Sequence, residues 1–170
     1  MAKKIGNIIS TILLIVLLLI AAILYLPKIF GITPMVVLSG SMEPTYPVGS
    51  LIFVSNTEAS ELEVGDKITF YFNKSSTVVT HRIKEKNADE KYFVTKGDNN
   101  NTVDGEKLPY SEVIGKASDF AIPFMGYLAV YLNTTSGIIL LVGIALITVV
   151  IMMLCDTKPK KKGAAKHEND

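Results

Sequence analysis

Charge is scarce in this chain of 170 residues: 19% are charged and 49% are hydrophobic, where a soluble domain carries about 25% charged residues. A wholly soluble protein is excluded by that imbalance. Cysteine is almost missing, Cys155 being the only one, so no disulfide can staple the fold and the domain must rest on its own core. Histidine is nearly as rare, with His81 and His167 alone. No His/Cys cluster exists to hold a metal and no Gly-rich loop to cradle phosphate, so neither metal nor cofactor is implied. A basic face is lacking too. The net charge is +1, which argues against nucleic acid as a partner, since such a face needs clustered Lys and Arg. Internal repeats are absent.

What the chain has instead is two long apolar runs. Ile8–Leu26 and Gly137–Cys155 each run 19 residues without a charge. At about 1.5 Å per residue each reaches roughly 28 Å, close to the hydrocarbon thickness of a bilayer. The first follows Lys3 and Lys4, as a cleavable signal would. Signal-peptide cores are shorter, however, about 7–15 residues, and end at small residues. Here the run ends in Tyr25-Leu26-Pro27-Lys28-Ile29-Phe30, which reads as an uncleaved anchor. Residues 27–136 hold 10 Lys and Arg against 13 Asp and Glu, and both short flanks are basic. The positive-inside bias then puts both termini in the cytoplasm and the middle outside. The expected organisation is a cytoplasmic N-terminus (1–7), a transmembrane anchor (8–26), an outward domain (27–136), a second transmembrane helix (137–155) and a Lys-rich cytoplasmic tail (156–170). The lipid bilayer is thus one partner.

Between the spans, β-type runs alternate with turn chemistry. Met35–Leu38, Ser50–Val54, Lys67–Phe72, Thr77–Ile83 and Lys91–Thr95 are rich in β-branched and aromatic residues. They predict a mostly β, antiparallel or barrel-like domain. A third apolar stretch, Phe120–Leu132, is broken by Pro123 and Gly126. It is either a core strand or a surface lying against the membrane interface.

Few residues in the middle segment can carry chemistry. Ser39-Gly40-Ser41-Met42-Glu43-Pro44 places serines in a tight turn after a strand, and His81 is that segment's only histidine. The loop from Gly97 to Gly105 supplies Asp98 and Asp104. A serine hydroxyl needs a base to take its proton, and the base needs a third group to orient it. These three elements could meet to do so. Each also has a bland reading as turn chemistry or a structural histidine. Lys67, Lys74 and Lys84 are alternative bases, but a lysine base needs an apolar site and all three read as solvated.

The serine turn resembles the nucleophile box of type I signal peptidases. Val64-Gly65-Asp66, Thr80-His81-Arg82 and Lys96-Gly97-Asp98-Asn99-Asn100 with Asp104 resemble the boxes that follow, in the same order over roughly 35–115. Histidine, where many bacterial members carry a lysine, makes the chain similar to the endoplasmic-reticulum-like Ser-His branch, also found in archaea and some Gram-positive bacteria. The resemblance implies a membrane-anchored serine endopeptidase with Ser41 as nucleophile and His81 as general base. Asp104, or Asp98, would orient the imidazole. The Ser41 amide and the Ser39 hydroxyl would stabilise the oxyanion. It also implies signal-peptide-bearing precursors as substrates, with small residues at the first and third positions before the cut. The protein-export channel is a candidate partner.

Asn73-Lys74-Ser75, Asn100-Asn101-Thr102 and Asn133-Thr134-Thr135 are glycosylation acceptor patterns. A glycan on Asn100 would crowd the acidic loop, which favours a plasma membrane over an endoplasmic-reticulum membrane. Two rivals differ in class. A self-cleaving repressor-type peptidase needs a DNA-binding motif that the chain lacks. An inactive outward-facing adaptor on two anchors needs nothing more than the fold. The topology is checked directly: an epitope placed after residue 160 is expected to stay protected when protease is added to intact spheroplasts, whereas cleavage there from outside contradicts it.

Overall fold

The computed structural model of the protein describes residues 2–72 and 75–156. The Lys-rich tail with His167, and Asn73 and Lys74 with the acceptor pattern they begin, lie outside the described residues. The described residues fall into two units, 2–19 with 139–156, and 20–138.

Two helices account for the apolar runs. Helix α1 (Ala2–Ile29) extends three residues past the expected boundary, through Pro27. Helix α3 covers Thr135–Asp156. Its start is capped, the Gly137 amide donating to Thr134 Oγ1 at 3.0 Å, which satisfies one orphan N–H of the first turn. Over Lys4–Ile29 and Thr135–Leu154 the helices are long and apolar enough to cross a membrane. The core helix of a soluble protein would be mostly covered, but Ile9, Leu18, Ile139 and Leu146 are exposed. Hydroxyls in the runs bond back onto their own helix, Thr11 to the Asn7 carbonyl and Thr148 to that of Ile144, so each finds its acceptor four residues back.

The second unit is built on one antiparallel sheet of seven strands. They are β1 (Ile32–Val36), β2 (Leu51–Ser55), β3 (Lys67–Tyr71), β4 (Val78–Asn87), β5 (Tyr92–Lys96), β6 (Leu108–Pro109) and β7 (Val113–Ala117). Their order across the sheet is β1-β2-β7-β3-β4-β5-β6. The fold is the mostly antiparallel β domain that the sequence predicts. One core cluster joins Leu62, Ile68, Phe70, Ile83, Phe93 and Leu108. A second joins Met42, Tyr46, Ile52, Val54 and Ala117, which buries the residue next to Ser41.

Three features depart from the sequence reading. Strand β7 carries no strong apolar run, yet it lies between β2 and β3. It is admitted there because Gly115 lets the backbones close in: a Cβ on Gly115 would stand 2.0 Å from the Ser55 carbonyl oxygen. Part of the 120–132 stretch is a helix and not a core strand: α2 spans Met125–Leu132 and packs on β1 and β2, and Ile122 pairs with Leu51 by a single bridge. Lys67 is not solvated. It is 7% exposed, with its ammonium on Asp119 Oδ1 at 2.6 Å and lying over the Tyr46 ring. Burial, then the Asp119 carboxylate, push the Tyr46 phenol upward in pKa, and its hydroxyl donates to the Ser118 carbonyl. Lys84 is exposed.

The Gly115 contact is with backbone, which cannot swing aside. Gly115→Ala is therefore expected to cost about 2–3 kcal/mol, the upper part of the overpacking range. Thermal unfolding of the detergent-solubilised protein should show a Tm lower by on the order of 10 °C.

Candidate active site

Strand β4 supplies the histidine. His81 pairs with Ile68 of β3 in register, is 8% exposed, and meets the Phe70 ring edge-on with centroids 6.2 Å apart. Its Nδ1 stands 2.6 Å from Asp104 Oδ2. The same Asp104 oxygen accepts from the buried Thr95 hydroxyl at 2.6 Å, and the Asp104 amide donates to the Thr95 carbonyl at 2.8 Å. The carboxylate is thus tied to β5 through both backbone and side chain. With Nδ1 facing Asp104, Nε2 is the nitrogen left to exchange a proton elsewhere; among the described residues it has no hydrogen-bond partner.

Asp98 goes to a different place. Its carboxylate takes a two-pronged bond from Arg82, Nε at 2.7 Å and Nη2 at 2.6 Å, and a third from Thr45 Oγ1 at 2.6 Å. The Arg82 guanidinium holds the Asp98 carboxyl below the usual carboxylate range against the opposing effect of burial, with Thr45 adding to it. Asp98 is therefore not used inside its own turn. It clamps β4 to the segment after Ser41.

The serine turn is held from the same loop. Gly40–Met42 form a single tight helical turn that packs against β4. The Ser41 carbonyl accepts from the Asn99 amide at 2.8 Å, and the Gly40 carbonyl from Asn99 Nδ2 at 3.1 Å. This approach requires glycine at 97, since a Cβ there would stand 2.5 Å from the Ser41 oxygen. Ser39 precedes the turn in extended conformation, and its hydroxyl makes no capping bond. Both serines open onto a groove of about 610 Å³ lined by Met35, Val37, Leu38, Ile52, Val78 and Thr80 among others.

The structure sets His81 on Asp104, ties Asp98 to Arg82 and Thr45, and packs the turn that carries Ser41, with Ser39 just before it, against β4; among the described residues no hydrogen bond joins either serine to His81. It brings Asp104, not Asp98, to the imidazole. Thr45, Thr95 and Gly97 escaped the sequence reading as site residues. Only the Gly-Asp pairing at 97–98 hinted at one of them, because a threonine in a turn (Thr45) or in an alternating strand (Thr95) looks the same whether or not it grips a carboxylate. Among the described residues no group of acids, histidines and cysteines could hold a metal ion, and the site's donors suit proton transfer.

Comparison with known proteins finds similarity to one family. The profile of a family described as signal peptidase, peptidase S26, matches residues 8–94. Signal peptidase I W of Bacillus subtilis (strain 168) is 44% identical over 100 residues, 57% of this chain and 52% of its own length. The signal peptidase complex catalytic subunit SEC11C of Homo sapiens is 33% identical over 108 residues, covering 58% of this chain and 56% of its own. The corresponding SEC11 subunit of Fusarium vanettenii is 35% identical over 108 residues, 58% of this chain and 62% of its own. The chain spans about half the length of the curated relatives it matches.

The Asp98 clamp carries a pH dependence. Its folded pKa lies below that of the unfolded chain, so its stabilisation is complete above about pH 4, the unfolded value, and is lost as pH falls through the folded pKa. Asp98→Asn should flatten the acid limb of a Tm-versus-pH profile, and Arg82→Gln should do the same. An unchanged acid limb in both variants would show that the clamp contributes nothing to stability.

Proposed function

Because the chain belongs to the signal peptidase family, peptidase S26, we propose that it is a membrane-bound serine endopeptidase that removes N-terminal signal peptides from exported precursors. In this reading α1 and α3 both span the membrane, the tail from 156 is cytoplasmic, and the β domain faces outward from a plasma membrane. The observation that carries the chemistry is the 2.6 Å contact of His81 Nδ1 with Asp104 beside a serine turn fixed by Asn99.

The steps follow from those atoms. His81 Nε2 takes the Ser41 hydroxyl proton as Oγ attacks the scissile carbonyl, and the imidazolium so formed is stabilised by Asp104, which also fixes the tautomer. Charge developing on the carbonyl oxygen is met by the Ser41 amide and the Ser39 hydroxyl, donors set before the reaction starts. His81 then returns the proton to the leaving amine, and water repeats the cycle on the acyl-serine. The groove walls, Met35, Val37 and Ile52, favour small apolar residues before the cut. The competing reading, an inactive outward-facing adaptor, uses the same fold with these groups idle.

A precursor-processing assay with the detergent-solubilised protein separates the two. Ser41→Ala should abolish cleavage with insertion intact, and His81→Ala should lower turnover on the order of 10²–10⁴-fold. The double variant should add little, since the two act as one unit. Asp104→Asn should fall nearly as far without loss of Tm. Near-normal turnover by Ser41→Ala removes it as nucleophile, and a wild-type protein that cleaves no precursor leaves the adaptor.

The substrate end is tested separately. An alanine-to-leucine change at the residue just before the cut should block processing by steric clash with the groove. Efficient cleavage of such a precursor contradicts the assigned groove.

A further inference from the structure

Helix α2 is apolar on every side, and only one side is covered. Gly126, Ala129 and Leu132 face inward and are buried. Gly126 sits so close that a Cβ would stand 2.6 Å from the Gly49 carbonyl oxygen and 2.7 Å from that of Ser50. The opposite face consists of Phe124, Tyr127, Val130 and Tyr131, which are 77%, 59%, 51% and 47% exposed. Phe120, exposed as well, continues the patch toward β2, its ring 5.7 Å from Phe53. A helix apolar all round belongs to an interior or to lipid, and an aromatic patch of this kind marks a binding surface.

Two facts on the chain itself select lipid. No charged residue occurs between Asp119 and Asp156, so α2 and the start of α3 carry no charge that a lipid surface would have to desolvate. Only Asn133 and Thr134 separate α2 from α3, and two residues reach about 7 Å at most. Wherever α3 enters a bilayer, the end of α2 stays beside that point. Tyrosine, with a ring that prefers apolar surroundings and a hydroxyl that prefers water, is the residue enriched at that boundary.

We propose that the Phe124–Tyr127–Val130–Tyr131 face of α2 lies in the lipid–water interface and sets the depth of the β1–β2 hairpin that carries Ser41. The link to the hairpin is direct. The Gly126 amide donates to the Gly49 carbonyl at 3.0 Å, and Val36 and Leu51, the last paired residues before the serine-bearing loop, lie beside Gly126 and Ile122. The proposal rests on the two-span topology given above and is independent of the peptidase chemistry.

The chain contains no tryptophan, so a single introduced indole reports one position. Phe124→Trp, Tyr127→Trp and Tyr131→Trp, each in the full chain reconstituted into phosphatidylcholine–phosphatidylglycerol vesicles, should be quenched by lipid brominated near the top of the acyl chain and shielded from aqueous iodide. Val64→Trp, an exposed position in the turn before β3, should show the reverse. Iodide access at all three α2 positions equal to that at residue 64 overturns the proposal, because the face is then in water. Shielding from both quenchers overturns it as well, since a protein surface then covers the face. Fluorescence needs no turnover, so a catalytically dead protein gives the same answer. Val130→Lys adds a functional arm: it should slow precursor cleavage in vesicles while leaving cleavage in detergent unchanged. Equal loss in both media would assign it to folding and count against a bilayer role.

Discussion

The hydrogen bond from the Asn99 amide to the Ser41 carbonyl joins two loops that are 58 residues apart in sequence, and the rest of the site depends on that junction. One loop brings the serine turn, the other both aspartates. The bond forms only because Gly97 has no side chain to hold the loops apart. Thr45 and Arg82 reinforce it from either side through Asp98, in a water-poor setting where charge-assisted bonds are roughly twice as strong as neutral ones. The serine is thus positioned by backbone, while its hydroxyl makes no bond among the described residues and stays available.

The alternation of one strand separates the duties of the two acids. His81 and Arg82 are neighbours on β4, so their side chains leave on opposite faces of the sheet. Asp104 meets the first and Asp98 the second. A cationic guanidinium is thereby kept off the carboxylate that faces the imidazole, where it would compete for the same oxygens. Thr95, on β5 beside β4, gives the Asp104 oxygen that faces the imidazole a second, neutral donor.

Much of this was legible from residue types. All five expected strands have counterparts within a few residues, because β-branched and aromatic runs were bounded by turn dipeptides. The candidate acid, base and serine stood out because the middle segment holds one histidine and few alternatives. Strand β7 was not legible: Val113-Ile114-Gly115-Lys116-Ala117 has a glycine and a lysine at its centre, and its place is decided by neighbours rather than by its own preference. The burial of Lys67 was hidden for a similar reason, since Asp119 lies 52 residues away and only the fold pairs them. Helix α2 was left open between a core strand and a surface against the membrane interface, because an apolar run with proline and glycine looks the same as a short buried strand until its packing is known.

Both outermost strands of the sheet contain a proline, Pro34 in β1 and Pro109 in β6. Proline offers no N–H, so neither margin presents an unbroken row of donors to a stranger. At its far margin the sheet stops after a strand of two residues. Copies crowded side by side therefore find no template by which one sheet could grow into the next. The domain resists runaway strand exchange, the usual hazard of open β architecture, by the chemistry of two imino acids rather than by closing into a cylinder.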